Sequence, residues 1–187
     1  MREYKEINLH ELPSNVGYGR FKLSNLVLNL GDFKISFKKD GVVKYLREGS
    51  GSVEKVVAPS EEGYVFVNPV EPINLPKPVS DFLLVELSKP VLIAPSASIE
   101  AYLTFPIEIG VLLVDSRDVE VLDLLTLVKQ KYVLYGTPRA GVVCRYWLSD
   151  VFPRPPMRDL LREGVLKLRV TNKSNNWVTV SNVVLSA

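Results

Sequence analysis

The order of apolar and polar residues along the chain is that of many short strands. Phe33-Lys34-Ile35-Ser36-Phe37-Lys38 alternates, Lys39-Asp40-Gly41 makes a turn, and Val42-Val43-Lys44-Tyr45-Leu46 runs back. Asp-Gly between two strand-like runs predicts a β-hairpin, because glycine accepts the positive φ of a tight turn. Upstream, Gly17-Tyr18-Gly19-Arg20-Phe21 is a turn that leads into a looser run over 23–30. Downstream, residues 53–58, 64–68, 81–87 and 91–94 are further short strands, with Pro90 and Pro95 as punctuation. Over 98–105, Ile99, Ala101, Leu103 and Phe105 share one face. The run 107–114 is apolar with Glu108 as its sole charge, which suits a strand covered on both sides. Runs 132–135 and 142–148 flank the turn 136–141, and runs 165–171 and 177–186 flank the polar loop 172–176.

Three stretches break the pattern. Residues 68–78 carry four prolines in eleven positions, which no central strand tolerates. They predict an extended connector between sheets. Val70, Ile73 and Leu75 would pin it to a core, which weighs against a free ligand for a proline-recognition module. Residues 119–129 suit a helix or a strand, and their β-rich surroundings favour the strand. Pro155-Pro156 ahead of Met157–Glu163, with Gly164 just past the end, predicts a short helix near 156–163. The predicted fold is all-β: a two-sheet sandwich or jelly roll of roughly ten to twelve strands plus that helix, in a single domain over 1–187. The abrupt apolar end at 183–187 fits either a truncated chain or a last strand locked in a sheet.

Composition narrows the classes. Apolar residues make up 47%, with 28 Val and 26 Leu against 6 Ala. That excludes disorder and argues against a helical bundle. No apolar run approaches the ~20 residues of a membrane helix. One Cys excludes an internal disulfide and a Cys-built zinc site, and the charged start lacks a leader's apolar stretch. Both point to the cytoplasm. Scarce Gln, Cys and Met point to a thermophile, although 10 Asn point the other way. The net charge of +2 hides a pattern: residues 59–123 hold 11 acids and 3 bases, and 139–173 hold 8 bases and 3 acids. Nucleic acid therefore stays among the partners that the chain allows, although solvated faces are the plainer reading.

Chemistry is sparse. The only His is His10, no Gly-x-Ser-x-Gly elbow exists, and no phosphate-cradling loop is present. Imidazole metal sites fail by count, and no cofactor is expected. Asp115, Asp118, Glu120 and Asp123 crowd together without the spacing of a calcium loop and read as a solvated turn. Cys144 reads as a buried small hydrophobe, with an arginine-activated thiol as the weaker alternative. The most suggestive stretch is 136–147, in which Arg145 and Trp147 share one strand face and Arg139 sits in the turn. Guanidinium beside an aromatic face suits a sugar or a nucleotide, while a Trp packed under an Arg is the plainer reading. The candidate ligand-binding residues are Arg139, Arg145, Trp147, Tyr18 and Arg20. The first function is a non-enzymatic binding or interaction module for a sugar, nucleotide or acidic partner. The alternatives are a carbohydrate-active enzyme using Glu86, Glu100 or Glu108, and a structural sandwich that forms homo-oligomers through edge strands.

Three segments carry a resemblance. Tyr18-Gly19-Arg20-Phe21, Asn68-Pro69-Val70-Glu71-Pro72, and Tyr135-Gly136-Thr137-Pro138 with Gly141 and Cys144-Arg145-Tyr146-Trp147 are similar to the marked segments of an archaeal family of unknown function. The resemblance implies an archaeal source and an intracellular β-rich domain. It brings no activity, cofactor or catalytic residue, and the members of that family run longer than this chain.

Overall fold

The computed structural model describes residues 16–58, 63–72, 79–114 and 118–186. They form fourteen strands. The first six are β1 (Gly19–Lys22), β2 (Leu26–Leu30), β3 (Phe33–Asp40), β4 (Val42–Glu48), β5 (Val53–Val57) and β6 (Tyr64–Val70). Next come β7 (Phe82–Ile93), β8 (Ser98–Pro106), β9 (Glu108–Val114) and β10 (Val119–Leu125). The last are β11 (Tyr132–Tyr135), β12 (Val142–Ser149), β13 (Glu163–Thr171) and β14 (Val178–Ser186). The chain is all-β, as expected, with more strands than the pattern alone separated. No helix among the described residues is long and apolar enough to cross a membrane.

The strands fall into two compact units. One comprises residues 1–69 and 109–125, the other 70–108 and 126–187. The first unit holds the four-stranded sheets β2-β3-β4-β5 and β1-β6-β9-β10. The expected hairpin is β3–β4, with Lys38 opposite Lys44 and Gly41 at φ +71° in the turn. Phe33, Ile35 and Phe37 alternate into the core, and the Phe37 ring meets Tyr45 at 5.1 Å between centroids. Burying such rings removes large apolar areas from water and dominates the packing energy of a small core. Residues 119–125 are strand, as favoured, and a bulge between Val121 and Asp123 re-aims Asp123.

The second unit holds the sheet β11-β12-β7-β14 and the two-stranded ribbon β13-β8. Leu83, Val85 and Leu87 of β7 and Leu103 of β8 form its buried centre, with Phe105, Trp147, Leu168 and Leu185 packed around them. Thr104 N donates to Ser149 Oγ at 2.8 Å, and a bridge joins Tyr102 to Phe152, so ribbon and sheet are stitched as well as packed. Asn172 is buried and fastens its loop, donating from Nδ2 to the carbonyls of Ile93, Ala94 and Asn176. β12 runs parallel to β7, unlike the antiparallel pairs around it.

Three expectations need correction. Pro90 does not end a strand. β7 runs through it because the parallel pairing to β12 stops at Leu87, and the β14 ladder skips from Glu86 to Val91 across an irregularity. A proline with no ladder bond to give costs little there. The proline connector begins later than its composition suggests, since β6 continues through Pro69 to Val70. Pairing with β1 has already ended at Val67. The remainder, 73–78, lies outside the described residues.

The helix near 156–163 is absent among the described residues. Only one turn forms there, with Arg162 N and Glu163 N donating to Asp159 O and Leu161 N donating to Asp159 Oδ1. So short a segment does not meet the cost of helix nucleation. Glu163 and Gly164 are taken instead into β13, opposite Pro106 and Phe105. Gly164 is a packing glycine: a Cβ there would lie 2.4 Å from Phe105 Cζ.

Candidate functional site

β12 carries the candidate chemistry, and strand alternation sends its residues to opposite faces. Arg145 and Trp147 do share a face, as the pattern required, and that face is the core. Arg145 is 1% exposed. Its Nη1 donates to Glu108 Oε1 and to the carbonyl of Pro72, and its Nη2 is buried without a hydrogen-bond partner. Glu108 is 0% exposed, so this is a sealed ion pair. Trp147 is half-buried against the core, and its Nε1 donates to Thr104 Oγ1 at 3.2 Å. As an open ligand arm Arg145 is therefore corrected: its guanidinium is committed to Glu108 and to Pro72 O. The pattern showed that the two side chains lie together without showing which face meets the opposing ribbon.

The other candidates are scattered. Arg139 is exposed at the tip of the β11–β12 hairpin. Tyr18 and Arg20 belong to the other unit. Tyr18 is buried, and Arg20 lays its guanidinium 3.6 Å from the centroid of the Tyr64 ring and 5.8 Å from that of Phe66.

The opposite face of β12 holds what the pattern missed. An open groove of about 410 Å³ is lined by Lys129, Gln130, Lys131, Tyr146, Trp147 and Leu148. Lys131 Nζ lies 4.1 Å from the Tyr146 ring centroid, and Tyr146 N donates to Lys131 O at 2.8 Å. The Tyr146 hydroxyl is hydrogen-bonded to Glu86, which pushes its pKa above the usual phenol value, with burial and the carboxylate's charge adding to the shift. Glu86 thus brings a carboxylate to the outer end of the ring. A cation over an aromatic face, with a second lysine beside it, can hold an anionic ligand with a flat or ring-shaped body. The sequence signal was the pair Lys129 and Lys131 one strand before Tyr146. It needed the β11–β12 register, with Tyr132 opposite Arg145, to become visible.

Among the described residues other chemistry finds no assembled site. Glu108 is paired with Arg145, Glu100 lies 3.1 Å from Lys167 Nζ and 3.9 Å from Arg169 Nε, and Glu86 holds Tyr146. Each of the three acids proposed for an enzyme is thus engaged separately. Cys144 is buried, and burial pushes its thiol above the ordinary range, opposite to what an activated thiolate requires. The acidic cluster is not the solvated turn expected: Glu120 and Asp123 lie in β10, where the Asp123 side chain is 12% exposed and accepts from Tyr45, and Asp118 accepts from Val119 N. Among the described residues no group of three or more His, Cys, Asp or Glu could hold a metal ion. His10 and Asp115 lie outside the described residues.

The segments behind the family resemblance serve this architecture. Pro72, at the end of one, accepts from Arg145, at the heart of another. Gly19 and Arg20 of the third pair with Val67 and Phe66. No curated protein and no solved structure matches the chain. A family model does match, over residues 17–187. The chain belongs to the family described as "Protein of unknown function (DUF432)".

Proposed function

We propose that this protein is a cytoplasmic, non-enzymatic binding module whose groove beside Tyr146 takes an anionic ligand with a planar or ring-shaped body, a nucleotide before a neutral sugar. The observation that carries the reading is the Lys131 ammonium over the Tyr146 ring with Lys129 beside it. Two cations in the lining favour a phosphate, with the one nearby carboxylate, Glu86, engaged by the Tyr146 hydroxyl, and the ring supplies a stacking surface. The separate engagement of Glu86, Glu100 and Glu108 supports binding over carboxylate catalysis.

A thermal-shift and calorimetry series with nucleoside phosphates, acidic sugars and neutral sugars tests it. A phosphate-bearing ligand at one hundred times its Kd stabilises the protein by about 2.7 kcal/mol. Lys131→Gln should weaken that binding without changing the melting temperature of the free protein. A flat response to all phosphate-bearing ligands, or binding that survives Lys131→Gln together with Lys129→Gln, overturns the proposal.

A further inference from the structure

The β11–β12 hairpin has a second feature, separate from the groove at its base. Across the ladder Leu134 faces Val143, and Tyr135 faces Val142. Successive strand residues point to opposite faces, so one apolar pair lies on each side of the hairpin. All four are open to solvent: Leu134 by 49%, Tyr135 by 43%, Val142 by 39% and Val143 by 43%. The turn beyond them is closed by Ala140 N and Gly141 N donating to Thr137 O, and it presents Pro138 and Arg139 to solvent.

Along the hairpin and its base the chain carries cations alone, while Asp81 of the neighbouring segment lies exposed beside Val143, whose carbonyl accepts from Ser80 Oγ. Residues 124–149 contain no Asp or Glu, while Lys129, Lys131 and Arg139 are exposed within them. A flat protein partner covers one face of a hairpin and leaves the other wet. Apolar side chains on both faces, with cations at the tip and the base, fit a medium that surrounds the tip. The boundary of an anionic bilayer is such a medium. Leu134, Val142 and Val143 would enter the acyl boundary, Tyr135 would sit at headgroup level, and the cations would meet lipid phosphates. Nucleic acid would satisfy the cations but would offer no apolar layer to both faces. We propose that the tip of the β11–β12 hairpin is an insertion loop that docks the protein on an anionic lipid surface.

Flotation of the intact chain with vesicles of phosphatidylcholine, with and without phosphatidylglycerol, tests this directly. The protein should float with the anionic vesicles and not with the neutral ones. Leu134→Asp combined with Val143→Asp should reduce partitioning at least tenfold. Arg139→Gln, a milder change at the exposed tip, should reduce it about fivefold, the equivalent of about one cation near an anionic surface. An environment-sensitive dye on Ala140→Cys should brighten only with anionic vesicles, the native Cys144 being buried. Both variants should keep the native melting temperature, and Arg139→Gln carries the test if the double variant does not fold.

Failure to float, or flotation that ignores both variants, overturns the proposal. So does a finding that the same substitutions abolish self-association or nucleic-acid binding while vesicle binding is nil. Soluble nucleotide binding by the Leu134/Val143 variant separates failure of this inference from failure of the groove.

Discussion

Each unit contains an arginine–carboxylate pair shielded from solvent, at a different depth. In the second unit Glu108 and Arg145 are sealed, with side-chain exposures of 0% and 1%. In the first, Asp123 and Arg47 retain 12% and 15%, with Arg47 Nε 2.9 Å from Asp123 Oδ2. That nitrogen lies off the line of a hydrogen bond, while Tyr45 donates squarely to the same oxygen at 2.8 Å. The same chemistry therefore has two energetic meanings. A sealed pair is indispensable in the sense that neither charge tolerates loss of the other, yet it adds little over a well-packed apolar pair. A pair that keeps 12% and 15% of its side-chain surface in water retains part of its solvation, so losing one partner costs less than in the sealed pair.

The largest expected effect follows from the sealed pair. Glu108→Gln leaves a buried guanidinium without its counter-charge and should cost about 3–5 kcal/mol in urea unfolding. Replacing both partners with apolar residues, as in Glu108→Leu with Arg145→Met, should recover most of that loss. A single-variant cost under about 1 kcal/mol would show that water reaches the pair.

Next in size is Gly164→Ala, which drives a methyl into the Phe105 ring of the second unit and should cost about 1–3 kcal/mol. An unchanged melting curve would mean that the ring moves aside freely.

The Asp123 pair gives a smaller effect with a pH signature. Burial raises the Tyr45 pKa, and the Asp123 charge and hydrogen bond add to the shift, against a smaller opposing pull from Arg47. Tyr45 is neutral when protonated, so a raised folded-state value means that the folded protein holds this proton longer. Its contribution is whole below the unfolded tyrosine value near pH 10 and falls as pH rises above it, by about 1.4 kcal/mol per pH unit. Tyr45→Phe should cost about 1–2 kcal/mol at neutral pH and flatten the alkaline limb of the stability curve. An alkaline limb as steep in the variant as in the parent would locate the sensitive group elsewhere.

The smallest expected effect is the native reactivity of Cys144. Burial and a raised pKa should leave it inert to a disulfide reagent until the protein unfolds. Rapid native labelling would mean that its strand opens locally.

Periodicity made much of this legible. The hairpin 33–46, the Ser98–Phe105 face and the pairing of Arg145 with Trp147 follow from a two-residue repeat, which any strand must obey. The helix near 156–163 misled because a proline before and a glycine after are local marks. Gly164 answers to Phe105, a residue from another strand. Pro90 misled for the same reason, since whether a missing donor matters depends on which neighbour is still paired at that point. The groove was illegible because Lys131 and Tyr146 meet only through the β11–β12 ladder.

The sequence by itself determined that the chain is β-rich, that its side chains alternate, and that a single His and a single Cys leave little for side-chain catalysis besides carboxylates. Only the tertiary structure decided which side of each strand is inside. Alternation is symmetric: it says that Arg145 and Trp147 lie together and Tyr146 lies opposite, and it would read the same with the core on either face. The opposing ribbon β13–β8 breaks that symmetry. It seals Trp147 against Thr104 and Leu103, and with Glu108 sealing Arg145 the cation and ring at Lys131 and Tyr146 are left facing solvent.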